Sequence, residues 1–395
     1  MTWPATPTPT HPTSPAPRTV APRPSWDDWV AERNRAVATS GRRREIRDLD
    51  GGAPATTVSA DGRPVVSFAS NDYLGLSQHP AVIEAARAAT AEFGTGSGSA
   101  RLIVGSRPVH RALEADLAAW KGMEAALLFS TGFAANLGVL STLGADPETL
   151  IVSDELNHAS IIDGTRLARA RVAVSLHRDV DHVAALLDDH PGRAIVVTDS
   201  VFSMDGDLAP VDDLATVCAD RGALLVLDEA HAVLGPPTPA LPGLDVVVIG
   251  TLSKALGSLG GFLAAPRPYV ELLTSTARSF IFTTATPPGD AAAAAAALAI
   301  VRSPEGDELR ATLRRHIDRL LPGHPSPIVP VLLGDEERAL AVADALLGRG
   351  LLVPAIRPPT VAPGTCRLRI ALSATHTDDQ VDALVAALGD LGCRP

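Results

Sequence analysis

Seven short apolar runs recur between residues 126 and 264, with amphipathic stretches between them. They occupy 126–129, 150–153, 172–176, 194–198, 223–227, 246–249 and 261–264. Runs of this length without polar alternation suit strands covered on both faces, and stretches such as 182–189 and 211–221 suit the helical crossovers that parallel strands require. The pattern confines the chain to an α/β architecture with a mostly parallel central sheet. Near Thr286 the texture changes. An alanine-rich helix at 290–302 leads into sparser strands at 330–333, 352–356 and 368–372, with helices at 335–347 and 377–388. A smaller C-terminal α+β domain is expected there. The expected division is a Pro/Thr-rich tail at 1–24, an N-terminal segment at 25–70, a large domain at 71–285 and the small domain at 286–395. The tail cannot bury apolar surface, so disorder is expected, and it lacks the basic and apolar regions of a signal peptide.

Only two of the 34 basic residues are lysine, Lys121 and Lys254. Arginine replaces lysine at little cost on most surfaces, but its guanidinium stays protonated and cannot form a Schiff base. A lysine kept in so arginine-biased a chain is a candidate for chemistry. Lys121, in LAAWKGMEAALLF, reads as the last residue of a helix before Gly122, a structural role. Lys254 has different neighbours. Ligands of open α/β sheets gather beyond the carboxyl ends of the strands, and three polar clusters fall there: DSVFSMDGD from Asp199, Asp228-Glu-Ala-His231, and Gly250-Thr-Leu-Ser-Lys254. A strand-end carboxylate and a nearby amine are what a pyridoxal ring needs, an anion for its pyridinium nitrogen and an amine for its aldehyde.

Each residue also has a plainer reading: Asp228 as a helix cap, His231 as a core histidine, His158 as a loop residue. The turn 130–134, STGFA, suits a phosphate at a helix start, or is a simple connection. The glycine-rich 94–105 is no dinucleotide loop, because it follows a helix and has no acid at the required spacing.

Taken in order, SNDYLGLSQHP (70–80), GTGSGSARLIVG (94–105), STGFAAN (130–136), NHAS (157–160), VFSMDGD (201–207), DEAH (228–231), TLSKALG (251–257) and FTTATPP (282–288) resemble the α-oxoamine synthases. These are homodimeric pyridoxal 5'-phosphate (PLP) enzymes of fold type I, the aspartate-aminotransferase-like fold, that condense an amino acid with an acyl-CoA. The stretch 355–377 is similar to the branch that joins L-alanine to a pimeloyl thioester in biotin synthesis. The resemblance implies Lys254 as the Schiff-base lysine and acid/base, Asp228 on the ring nitrogen, and His231 and Ser203 on the phenolic oxygen. It implies His158 stacked on the ring and beside the thioester, Gly132 and Phe133 in the cofactor site, and Thr251 on the phosphate. Thr283 and Thr284 would reach the phosphate of a second subunit. Arg369 would pair with the amino-acid carboxylate, Asn71 and Thr360 would line the substrate site, and Arg42 is the best match within 42–44 for an acyl contact. Two places depart from the family pattern, Gly98-Ser99-Ala100 and the Pro-rich loop after His231.

A net charge of −11 argues against nucleic acid as a partner. Cys218, Cys366 and Cys393 form no paired or metal-ligand pattern, which suits a reducing cytoplasm. No apolar stretch reaches membrane-spanning length, so no membrane association is expected. Two other readings stay open: a sister enzyme using glycine and a short acyl-CoA, and a PLP-binding protein without catalysis. A hydrolase built on Ser203 would lack the GxSxG elbow.

Overall fold

The computed structural model describes residues 23–44, 46–52, 55–58 and 62–395; the expected disordered tail lies outside the described residues as far as Pro22. Two units are distinguished, Met1–Asp48 and Leu49–Pro395. The first carries α1 (Trp26–Thr39), whose N-cap Ser25 accepts the Asp28 amide and whose first turn holds Asp27 and Asp28, as the helix dipole favours.

The second unit opens with the antiparallel pair β1 (Ala55–Val58) and β2 (Arg63–Ser67). Next come α2 (Pro80–Phe93), α3 (Pro108–Lys121), β3 (Ala125–Phe129), α4 (Gly132–Leu143), β4 (Leu150–Asp154), α5 (Ala159–Leu167) and β5 (Arg171–Ser175). They are followed by α6 (Val180–Asp188), β6 (Ala194–Asp199), α7 (Val211–Arg221), β7 (Leu224–Asp228), β8 (Val246–Thr251) and β9 (Gly261–Ala265). All seven apolar runs are strands of one sheet, in the order β3-β9-β8-β7-β6-β4-β5. Neighbours from β5 through β8 pair in parallel, whereas β9 is antiparallel to both β8 and β3. The reason is length: residues 252–260 carry no helix, and a parallel return needs a crossover of a dozen residues or more. Strands β4, β8 and β9 are buried along their whole length, as a sheet covered on both faces demands. Lys121 does end α3, with Gly122 in the left-handed conformation at φ 66°.

Beyond the sheet lie α8 (Arg267–Thr276), α9 (Arg278–Ile281), α10 (Pro288–Val301), α11 (Pro304–Leu320), β10 (Ile328–Gly334), α12 (Glu336–Gly348), β11 (Leu351–Leu352), β12 (Ala355–Ile356), β13 (Cys366–Ala371) and α13 (Asp378–Asp390). The alanine-rich α10 is buried nearly all round and packs closely on α2, which its small side chains permit. The apolar run 352–356 is two strands rather than one. β11 pairs in parallel with β2, and β12 pairs antiparallel with β13. Pro354 stands between them and has no amide to continue a ladder; its carbonyl accepts the Arg369 amide.

The segment 67–74, which leads from β2 toward the sheet, is held by the residues after β13. Phe68 O accepts the Ala371 amide, Tyr73 O accepts the Ala374 amide, and Asp72 O accepts the Ser373 hydroxyl. His376 closes this joint. Its ring stacks on Phe68 at 4.3 Å, Nε2 donates to Ser67 O and Nδ1 accepts the Ser373 amide. Burial pushes its pKa down to about 4. A histidine depressed in the folded state and near 6.5 when unfolded stabilises the fold above pH 6.5, and that contribution is lost as pH falls from 6.5 to 4. Relative to His376→Gln, the wild-type protein should lose about 3 kcal/mol between those pH values, read from urea midpoints.

Candidate active site at the carboxyl edge of the sheet

Asp154, Asp199, Asp228 and Thr251 are the last residues of β4, β6, β7 and β8, so parallel pairing places them along one edge. Asp228 is buried. Its Oδ1 accepts the Ala230 amide at 2.9 Å, and its Oδ2 accepts Asn136 Nδ2 at 2.6 Å. Asn136 lies one turn into α4, bonds Ser160 as well, and keeps a buried Oδ1 with no hydrogen-bond partner. The neighbouring Asp199 accepts the His158 amide at 2.7 Å. Burial and the Asp228 charge raise its pKa well above the carboxylate range, which favours its protonated form and leaves the edge less anionic.

Lys254 sits in the turn after β8, its carbonyl accepting the Gly257 amide. Gly257 has φ +57°, and a Cβ there would collide with the backbone of Leu76 and Ser77, so only glycine lets this turn press against the 67–78 segment. Lys254 Nζ lies 2.8 Å from His231 Nε2. His231 Nδ1 lies 2.6 Å from the Tyr73 hydroxyl, which donates to Asn71 Oδ1 at 3.1 Å. Arg369 reaches the same Asn71 oxygen at 3.0 Å from Nη2, and Ser203 O at 2.5 Å from Nε. Two positions earlier on β13, Arg367 pairs with Asp205, so the strand grips the 203–205 loop twice. Burial lowers the Lys254 pKa against the opposing pull of Asp228 and Asp199. Burial, with Lys254 and Arg369 nearby, drives His231 well down and keeps it neutral. His158 is also lowered by burial, with Asp228 pulling the other way.

A second group could receive an anion. Thr131 caps α4 by accepting the Ala134 amide, and the Gly132 and Phe133 amides precede it at the helix start, where a phosphate is favoured. A Cβ on Gly132 would stand 3.3 Å from Thr251 Cβ. Phe133 meets the His158 ring edge-on at 6.4 Å. A buried carboxylate, a histidine-bonded amine and an open helix start within one turn of the Asp228 partner Asn136 together fit PLP.

The structure therefore joins Asn71, Ser203, His231, Lys254 and Arg369 in one network beside Asp228, and sets Gly132, Phe133, His158 and Thr251 around α4. It does not draw Thr283, Thr284 or Thr360 into that network. Thr283 is half-buried and Thr284 exposed on the segment after α9; Thr360 is exposed in the turn between β12 and β13. Arg42 belongs to the first unit, in the turn that ends α1. Sequence reasoning missed Tyr73, although it stands two residues from Asn71 in NDY, and Asn136, although it stands one helical turn from Gly132. It also missed the work of Lys121, which ion-pairs with Glu229, the neighbour of Asp228, over the Trp120 ring; Glu229 in turn accepts the Thr238 hydroxyl.

Gly261, at the start of β9, has no room for a side chain, because a Cβ would overlap the Thr131–Gly132 backbone. Gly261→Ala should cost about 1–3 kcal/mol and displace the start of α4. Thermal unfolding and equilibrium dialysis of PLP should show lower stability and weaker cofactor retention together.

Residues 63–388 match the family model for class I and II aminotransferases. The 8-amino-7-oxononanoate synthase of Methylobacterium nodulans is 48% identical over 379 residues, 93% of this chain and 98% of that one. The enzyme of the same name from Anaeromyxobacter dehalogenans is 48% identical over 378 residues, 91% of this chain and 94% of that one. Among solved structures, Sphingomonas wittichii serine palmitoyltransferase superposes with a TM-score of 0.84 at 32% identity, covering 93% of this chain and 98% of its own. A serine palmitoyltransferase from S. paucimobilis with a bound PLP-myriocin aldimine gives 0.84 at 30% identity, with the same two coverages. The 8-amino-7-oxononanoate synthase of Francisella tularensis gives 0.69 at 28%, covering 83% and 98%. With its mostly parallel sheet and its lysine, aspartate and helix start at one edge, this chain belongs to the PLP-dependent class I and II aminotransferase family, in its α-oxoamine synthase branch.

Proposed function

We propose that this chain is an 8-amino-7-oxononanoate synthase, which joins L-alanine to a pimeloyl thioester and releases the thiol and carbon dioxide. The observation that carries the reading is the run of bonds from Lys254 through His231, Tyr73 and Asn71 to Arg369, beside the buried Asp228. It ties an amine to a guanidinium able to receive a carboxylate through one chain of hydrogen bonds. The names of relatives 48% identical over nearly the whole chain support the substrate pair.

Each residue has a task. PLP, when bound, supplies an electron sink for the pair left at the amino-acid Cα. Lys254 Nζ would hold its aldehyde carbon, Asp228 its ring nitrogen, His231 and Ser203 its phenolic oxygen, and the Gly132 and Phe133 amides with Thr251 its phosphate. Arg369 and Asn71 orient the alanine carboxylate, the guanidinium offering two parallel donors. Lys254 Nζ takes the Cα proton, since burial lowers its pKa toward the range where a neutral amine is available. His158, whose burial lowers its pKa and favours the neutral ring, would lie on the face of the cofactor ring and orient the thioester carbonyl. Thr360 and Arg42 serve the acyl chain. Thr283 and Thr284 reach the phosphate of a second subunit in a homodimer, and the exposed Phe282 beside them suits such an interface. The proposed location is the cytoplasm; among the described residues no helix is long and apolar enough to cross a membrane.

The deciding experiment crosses L-alanine and glycine with pimeloyl-CoA and acetyl-CoA and follows thiol release. Alanine with pimeloyl-CoA should turn over fastest, and faster use of glycine with acetyl-CoA would overturn the substrate assignment. Lys254→Ala should fold, lose the visible absorbance of the lysine-linked cofactor, and slow condensation by about a thousandfold or more. Arg369→Lys, which keeps the charge but loses the two-pronged geometry, should raise the KM for alanine by roughly tenfold or more while PLP absorbance is unchanged.

A further inference from the structure

Tyr73 is buried to 0% exposure, beneath the site, and none of the catalytic tasks falls to it. Its hydroxyl lies 2.6 Å from His231 Nδ1, a donor or an acceptor according to the tautomer, and 3.1 Å from the acceptor Asn71 Oδ1, and a phenol has one proton to give. Burial pushes its pKa up to about 12, so that proton is retained. A neutral imidazole likewise has one N–H. Only two arrangements satisfy the set. In one, Tyr73 donates to Asn71, His231 donates from Nδ1 to Tyr73, and His231 Nε2 accepts from Lys254. In the other, Tyr73 donates to His231 Nδ1, and His231 presents an N–H at Nε2.

The charge on the group facing Nε2 decides between them. A Lys254 ammonium has three protons and no lone pair, so it requires the first arrangement. The ionised phenolic oxygen of PLP only accepts, so a loaded site requires the second. Tyr73 is the group bonded to Nδ1, and Arg369 Nη2 also bonds Asn71 Oδ1. We propose that Tyr73 is a positioning residue that sets the tautomer of His231, giving its proton to Asn71 while Lys254 is a free ammonium and to His231 Nδ1 once PLP fills the site. Loading then leaves Arg369 as the remaining one of the two donors on Asn71 Oδ1. The inference deepens the proposed function and rests on its placement of His231 at the phenolic oxygen.

Two measurements test it without amino acid or thioester, so a wrong substrate pair would leave both results standing. Nitrogen-15 NMR of histidine-labelled, PLP-loaded wild-type enzyme should show His231 protonated at Nε2 and bare at Nδ1, reversing when PLP is removed. A proton on Nδ1 in the loaded enzyme would refute the proposal. Tyr73→Phe keeps the ring and its packing but strands a buried acceptor, and should weaken PLP retention by about tenfold in equilibrium dialysis. In a His231→Gln background the same change should add nothing, because the atom it serves is gone. An equal tenfold loss in both backgrounds would make Tyr73 a packing residue and overturn its role in setting the tautomer.

Discussion

Arg369, His231 and the partly buried Lys254 lie together at one edge of a sheet, and they stay there because each is hydrogen-bonded to a neighbour that is bonded in turn. An unpaired buried charge costs several kcal/mol. Lys254 is balanced by the pull of Asp228 and Asp199 and bonded to His231, while Arg369 is absorbed by Ser203 O and Asn71. Parallel strands make this possible in space, because they end together and aim their last side chains into one hollow. The raised pKa of Asp199 follows from the same crowding, because burial and the neighbouring Asp228 charge both disfavour its ionised form.

The two halves of the site come from opposite ends of the chain. Asp228 ends β7 and Lys254 follows β8, whereas Arg369 stands on β13, 298 positions from its partner Asn71. What brings these parts into register is a set of plain structural bonds. The His376 joint holds 67–74 against the residues after β13, Arg367 and Arg369 hold the 203–205 loop, and the Lys121–Glu229 pair holds the turn that follows Asp228. Each of these bonds fixes the backbone beside a residue of the candidate site.

Much of the fold was legible because its signals are local. A buried strand reads as a continuous apolar run wherever it pairs, and all seven runs lie in the sheet. Lys254 stood out because the chain avoids lysine, and Asp228 and His231 because a polar cluster directly after an apolar run marks a strand end. The split at Pro354 was missed because an apolar run does not announce which sheet will claim each half. Tyr73 and Asn136 were missed for a related reason: an aromatic residue and an amide have ordinary uses everywhere, and their roles here come from partners 158 and 92 positions away. Lys121 was read correctly as the end of a helix, but its charge partner belongs to a turn more than a hundred residues on.

The sequence by itself determined the α/β class, the seven strands of the central sheet and most helices, the cofactor chemistry and the family, because hydrophobic periodicity and ordered motifs are written in neighbouring residues. Only the tertiary structure decided the direction of β9, the division of 351–356 between two sheets, the network from Lys254 to Arg369, and the place of Tyr73 within it. Those are matters of which distant groups must share a few protons in a space closed to water, and no local pattern specifies that.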